Sequence, residues 1–249
     1  MSLGGDLTIA VPRGQLFDDT VELLARLGVD TTELRSNDRK LLFEDIGVIT
    51  MRPSDVPTYV EAGAADLGIT GRDVLLEQAH LDGENGREVY ELLDLGYGRA
   101  TMVLATVESG TQNGGATRAN GASDAPRSEA GTPAQNFADG DDAAARALRR
   151  LGVIRVATKY PRIASRHMEE MGRQAEIVEV KGSVELAPLA GLAEAIVDLT
   201  ATGTTLRENN LVVREEIVVC TARLIANPVA HKLKAAAIDE LLERLRVAA

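Results

Sequence analysis

Two spacings of apolar residues alternate along the chain. Leu7, Ile9 and Val11 fall on every second position, the period of a buried strand. Phe17, Val21 and Leu24 then recur at helical spacing as far as Gly28. The succession repeats. "GVITM" (47–51) predicts a second strand, and Pro53-Ser54-Asp55 opens a helix that stops at Gly63. "DLGIT" (66–70) predicts a third strand, with Gly71 opening a helix through Leu75 and Leu76. Further on come "IRVAT" (154–158), a helix over 163–171, "EIVEV" (176–180) and "AIVDL" (195–199). Strands that alternate with helices point to parallel sheets covered by helices on both faces.

The units form two groups, which predicts two lobes. One is expected over 1–95 and 211–249, the other over 96–210. The apolar segments "ATMVLAT" (100–106) and "EEIVVCTARLIA" (215–226) are placed to cross between them. Residues 109–142 break the rhythm: they hold no Leu, Ile, Val or Met and are rich in Gly, Ala, Ser, Thr, Asn and Asp. Such a segment buries too little apolar area to offset the entropy of ordering, so a disordered surface insertion is expected there, ahead of a helix from Ala143.

Composition narrows the function classes. A chain of 249 residues with 45% hydrophobic side chains can build one large domain or two small lobes with proper cores. No run approaches 18 consecutive apolar residues, so no membrane span is expected, and the N-terminus lacks the basic start and apolar stretch of a secretory signal. Cys220 is the single cysteine, which excludes a disulfide framework and suits a reducing cytoplasm. The histidines His80, His167 and His231 show no zinc spacing, so no protein metal site is expected. The net charge is −11, and 22 of the 27 basic residues are arginines. That surface repels nucleic acid backbones. It reads either as ordinary acidic solubility or as adaptation to high salt.

The chemistry gathers at "DLTATGTTLRENN" (198–210), where an aspartate closes a strand and a loop of Thr, Gly and Thr leads into a short helix. Unpaired N–H groups at a helix start favour phosphate, glycine lets the backbone approach the ligand, and threonine hydroxyls add donors. A carboxylate beside such a loop accepts hydrogen bonds from sugar hydroxyls. The same residues also describe an ordinary strand-to-helix turn with threonine capping.

"IAVPRGQLFDDTVELL", "RPSDVPTYVEAGAADLGITGRDVLLE", "DLGYGRATMVLAT", "RVATKYP", "KGSVELAPLAGLAEAIVDLTATGTTLRENNL" and "TARLIANP" together resemble ATP phosphoribosyltransferase, the first enzyme of histidine biosynthesis. The likeness runs through almost everything outside 109–142 and the extreme ends. It implies transfer of the phosphoribosyl group of phosphoribosyl pyrophosphate (PRPP) to N1 of ATP, with Mg²⁺ and release of pyrophosphate. It also implies a two-lobed α/β fold of the type II periplasmic binding protein kind, each lobe a mainly parallel sheet flanked by helices, with the active site in the cleft. Lobe 1–95/211–249 would be the ATP side and 96–210 the PRPP side.

Carried over by residue, the resemblance gives Ala201, Thr202, Gly203, Thr204 and Thr205 to the 5′-phosphate of PRPP, with Asp198 at the ribose hydroxyls and Glu185 facing the phosphoribosyl group. Asp198 and Glu185 would be the catalytic carboxylates. Arg13, Gly14, Arg52, Thr70, Gly71, Asp94, Lys159 and Tyr160 would serve ATP or the polyphosphate. One position departs: the family usually has Lys-Gly-Arg where this chain has Arg13-Gly14-Gln15, so the charge of that arginine is absent. Two rival readings are a bilobal solute-binding protein, which would need an export signal and no phosphate loop, and a catalytically silent nucleotide-binding subunit. The terminal segment places Leu233, Ile238, Leu241, Leu242 and Leu245 on a helical pattern. Its apolar face is expected to be exposed and to favour self-association or a partner. With no histidine-binding domain after it, the resemblance implies either a short form that works with a separate regulatory subunit related to histidyl-tRNA synthetase or a truncated chain.

Overall fold

The computed structural model describes residues 6–79, 88–107 and 152–248. The 109–142 insertion, the helix expected from Ala143 and His80 lie outside the described residues. The chain divides into two compact units, Met1–Ala100 with Val219–Ala249, and Thr101–Val218. Both dividing points fall within or beside long strands rather than in the turns before them.

The first unit holds β1 (Ile9–Pro12), β2 (Leu42–Phe43), β3 (Val48–Met51), β4 (Leu67–Gly71), β5 (Tyr90–Asp94) and β11 (Ala222–Ala226), in the order β2-β3-β1-β4-β11-β5. β1 pairs parallel with β3 and β4, as the strand–helix repeats predict, but β2, β5 and β11 join antiparallel. The sheet is therefore mixed, not mainly parallel. The physical reason is that β11 returns late in the chain, with no crossover helix before it, and inserts between β4 and β5. β1 and β4 are buried at every position, the pattern of central strands covered on both faces.

The second unit holds β6 (Ala100–Val107), β7 (Ile154–Thr158), β8 (Ala175–Glu179), β9 (Ala195–Thr200) and β10 (Leu211–Cys220), in the order β10-β6-β9-β7-β8. β7 pairs parallel with β8 and β9, while β6 runs antiparallel to β9. The apolar run at 215–226 is two strands, interrupted at Thr221, one in each sheet. Val103, Ala157, Ile196, Val184 and Leu206 form the core here.

The terminal helix, Ala235–Ala248, corrects an expectation. Ile238, Leu241 and Leu245 are buried in the core of the first unit with Ile9, Leu24, Leu67 and Leu224, and Leu242 packs against it. Its apolar face is occupied, because burying a leucine or isoleucine contributes about 1.5–3 kcal/mol to folding. Of the five apolar residues in the expected pattern, Leu233, before the helix, stays exposed. Among the described residues no helix is long and apolar enough to cross a membrane.

Candidate functional site

In the second unit the parallel register of β7 and β9 sets the site. Its last pair is Thr158↔Val197, so Lys159, the first residue beyond β7, comes beside Asp198, which stays within β9 and pairs with Val103 of β6. Lys159 Nζ lies 3.3 Å from Asp198 Oδ1 and 5.2 Å from the centre of the Tyr160 ring. The Thr158 hydroxyl donates to the Val197 carbonyl at 2.6 Å and accepts from the Tyr160 N–H at 2.9 Å, fixing the strand end. Asp198 is 8% exposed, and the Leu199 N–H donates to its Oδ1 at 2.8 Å. Burial pushes its carboxyl above the ordinary aspartate range and the nearby Glu185 adds to that, while Lys159 and the Leu199 N–H work the other way. Glu185 stands half-buried where the short helix Leu186–Leu189 begins.

Beyond β9 the chain turns through Ala201 and Thr202 to Gly203, whose φ of +70° lies in the left-handed region. Helix Thr204–Glu208 starts there. The Gly203 N–H donates to the Thr200 hydroxyl at 2.9 Å, and the Thr202 and Thr204 hydroxyls lie 3.0 Å apart. The backbone N–H groups of Thr202, Thr205 and Leu206 have no acceptor among the described residues. Five helical residues make a weak dipole, so these N–H groups and hydroxyls, not the helix end, are the donors an anion would meet. Arg207 leans back over the loop, and its guanidinium donates to the Thr202 carbonyl and the Thr204 hydroxyl, each at 3.0 Å. The sequence reading missed Arg207, although its place one helical turn beyond Gly203 and Thr204 was a usable signal.

The first unit keeps its candidates at the carboxyl ends of β1, β3 and β4. Arg13 is committed locally: its guanidinium donates to Asp38 at 3.1 Å and to the carbonyls of Asn37 and Lys40, and it lies 4.7 Å from the centre of the Phe17 ring. Its Nε is buried without a partner. Gly14 and Gln15 are exposed in the turn that follows. Arg52 is exposed beyond β3, and among the described residues no carboxylate pairs with it. Thr70 is buried and donates to the Pro53 carbonyl at 2.8 Å. Gly71 allows a close approach, since a Cβ there would stand 2.0 Å from Asp73 Oδ1. Asp73, a buried carboxylate in the first turn of helix Arg72–Gln78, is a second residue the sequence reading passed over.

Asp94 is held by its own unit. Oδ1 accepts from Thr221 at 2.8 Å and from the Gly96 N–H at 3.0 Å, and Oδ2 pairs with Arg223 at 2.9 Å. Burial works to raise its carboxyl, but these hydrogen bonds and the charges of Arg223 and Arg72 outweigh it and hold the group below the usual range. Asp198, Lys159, Tyr160 and the 201–205 loop thus gather at one end of the second sheet, with Glu185 near enough to act on Asp198. Lys159 and Tyr160, grouped by the resemblance with the ATP residues, stand with the PRPP candidates. Among the described residues no three His, Cys, Asp or Glu side chains gather to hold a metal ion.

Residues 52–247 match a sequence model of the family described as HisG, ATP phosphoribosyltransferase. The ATP phosphoribosyltransferase of Rubrobacter xylanophilus is 48% identical over 238 residues, covering 95% of this chain and 93% of that protein. That of Sorangium cellulosum is 42% identical over 246 residues, covering 97% and 95%. Among solved structures, the ATP phosphoribosyl transferase (HisG:HisZ) complex from Thermotoga maritima is similar with a TM-score of 0.68 and 31% identity, covering 97% of this chain and 98% of that one.

Proposed function

The chain belongs to the ATP phosphoribosyltransferase family, and from that premise we propose which of its residues carry the reaction. The enzyme transfers the phosphoribosyl group of PRPP to N1 of ATP and releases pyrophosphate, the first step of histidine biosynthesis. Neither a solute-binding nor a catalytically silent role is favoured.

The 5′-phosphate of PRPP sits on the 201–205 loop, taking the open N–H groups and threonine hydroxyls. Asp198 accepts from the ribose hydroxyls. As the C1–pyrophosphate bond breaks and adenine N1 closes on C1, positive charge grows on the ribose. A buried carboxylate beside it stabilises that charge more than one in bulk water would. The charge of Lys159 favours the ionised form of Asp198 and opposes the effect of its burial, and Glu185 adds a second negative group. No covalent intermediate is needed, so the work is orientation and electrostatics. For the ATP polyphosphate Arg52 is the better-placed arginine, since Arg13 is already tied to the turn at 37–40. The observation that carries this reading is the pairing of buried Asp198 with exposed Lys159 beside a loop with open N–H donors.

The family is generally Mg²⁺-dependent. Magnesium takes one or two carboxylates together with substrate phosphates, and this site offers two carboxylates to an ion carried by the pyrophosphate. Asp198 and Glu185 are the carboxylates that would help hold it, and when bound it neutralises charge on the departing group. The Thermotoga maritima relative is described as a HisG:HisZ complex. By analogy this chain is expected to associate with itself and with a separate regulatory subunit. Its substrates, and its lone buried thiol Cys220, suit the cytoplasm.

PRPP- and Mg²⁺-dependent formation of phosphoribosyl-ATP, followed by ultraviolet absorbance, tests the assignment. Asp198→Ala should lower kcat/KM by about 10²-fold or more. Near-native turnover in that variant would remove Asp198 from the site.

A further inference from the structure

Arg207 is exposed at the end of the turn that follows the 201–205 loop, and among the described residues no carboxylate neutralises it. Its two terminal nitrogens each make one bond to the loop, Nη1 to the Thr202 carbonyl and Nη2 to the Thr204 hydroxyl, both at 3.0 Å. These contacts straddle Gly203, and a Cβ built on Gly203 would stand 3.1 Å from Nη1. The guanidinium is therefore a brace across the one residue of the loop with a left-handed backbone.

The brace also sets which hydrogens face outward. A guanidinium only donates, so the Thr204 hydroxyl must accept from it, and the Thr204 N–H lies 3.4 Å from the Thr202 hydroxyl oxygen, which accepts from it. The two hydroxyls, 3.0 Å apart, share one hydrogen bond between them, so one of their two hydrogens is left to donate outside the pair. With the unpaired N–H groups of Thr205 and Leu206, that makes a set of convergent donors fixed before any ligand arrives.

We propose that Arg207 is a positioning residue for PRPP, which pre-forms the 201–205 loop through its paired bonds to Thr202 and Thr204. This rests on the reading of that loop as the 5′-phosphate site. A loop held in its bound shape loses less conformational freedom on binding, so the gain is in PRPP affinity, with the ATP side unaffected. Lysine cannot reproduce it, because an ammonium lacks the planar fork that spans the two acceptors.

The test is steady-state kinetics on the full chain, or on its complex with a regulatory subunit, for Arg207→Ala, Arg207→Lys and Gly203→Val. Arg207→Ala is expected to raise the KM for PRPP about tenfold, with the KM for ATP unchanged and kcat within about threefold. Arg207→Lys should fall between Ala and the native chain, and millimolar guanidinium should lower the KM for PRPP of the Ala variant but not of the native enzyme. Because the side chain is exposed, melting temperatures should stay within about 2 °C of native. A native KM for PRPP in Arg207→Ala beside a raised one in Gly203→Val would overturn the role of Arg207 and leave the loop assignment standing. A native KM in both would overturn the loop assignment itself. A rise in the KM for ATP equal to that for PRPP would reduce Arg207 to general structural support.

Discussion

Replacing Gly203 by valine perturbs the loop in two separable ways. At φ +70° a residue with a side chain sits in the left-handed region, at a cost of about 1–2 kcal/mol for an L residue, and the β-branch makes it worse. That alone lowers the population of the native loop roughly 5–30-fold. The new Cβ also stands 3.1 Å from Arg207 Nη1, so the guanidinium must move and its bonds to Thr202 and Thr204 weaken. Together the two effects predict a loss of about 10²-fold in kcat/KM for PRPP, near that of a deleted transition-state donor. Gly203→Asn separates them, because asparagine visits the left-handed region readily, and its loss should be within about tenfold. The assay is phosphoribosyl-ATP formation at saturating ATP over a range of PRPP, with a thermal melt as control. A valine variant whose PRPP dependence matches the native enzyme, or an asparagine variant as damaged as the valine one, would refute the reasoning.

Asp198→Asn should inactivate the enzyme yet stabilise the fold at neutral pH. A carboxyl whose folded value is raised favours folding below its unfolded value, near 3.8, and the benefit is lost as pH rises through the folded value, so the gain in Tm should fade in acid. A lower Tm for the variant at pH 7 would contradict this. Glu215→Gln has the opposite sign. Burial raises the Glu215 carboxyl, but hydrogen bonds from Arg173 and His167 outweigh that and hold it low. Its contribution is therefore present above about pH 4.5 and lost as pH falls through the depressed value; the variant should melt lower at pH 7 and converge with the native chain in acid. Glu194→Ala removes the partner of Arg155, whose backbone N–H and guanidinium bond it at 2.7 and 2.9 Å in a site where both residues are under a tenth exposed. Breaking such a pair costs about 3–5 kcal/mol, and a Tm drop near 10 °C is expected; a shift under about 2 °C would show the pair to be dispensable. Asn227→Ala loses the cap on helix Pro228–Leu233 and the side-chain hydrogen bonds to the carbonyls of Val60 and Glu61, so differential scanning calorimetry should register at least about 1 kcal/mol.

The periodicity of the chain predicted the β1, β3, β4, β7, β8 and β9 strands to within a residue or two, because each is an apolar run bounded by turn residues, buried in most and half-buried in β8. It missed β2, which is two residues long, and β5, whose paired leucines sit between acidic residues, so neither shows an alternating period. It also could not see that 215–226 is two strands, since both are apolar and only Thr221 parts them. Sheet polarity was out of reach for the same reason: β11 has no helix before it, and only tertiary pairing tells its direction. At the candidate site, the loop and Asp198 could be picked out because glycine, threonine and a carboxylate near a strand end have local meanings, though β9 runs on to Thr200. The pairing of Lys159 with Asp198 follows from strand register, and the retention of Arg13 by the turn at 37–40 follows from packing. Neither is written in local sequence.

The placement of β11 has a consequence for how the chain acquires its structure during synthesis. β4 hydrogen-bonds to β11, whose partner residues lie about 150 positions later, so this sheet has a high contact order. The second unit is one continuous stretch, complete before β11 and the helix Ala235–Ala248 emerge from the ribosome. Domain-wise folding would then mature the unit that carries the 201–205 loop first and leave the first unit with an open β4 edge until β11 is made. That exposed edge is the interval in which the nascent chain most needs a chaperone.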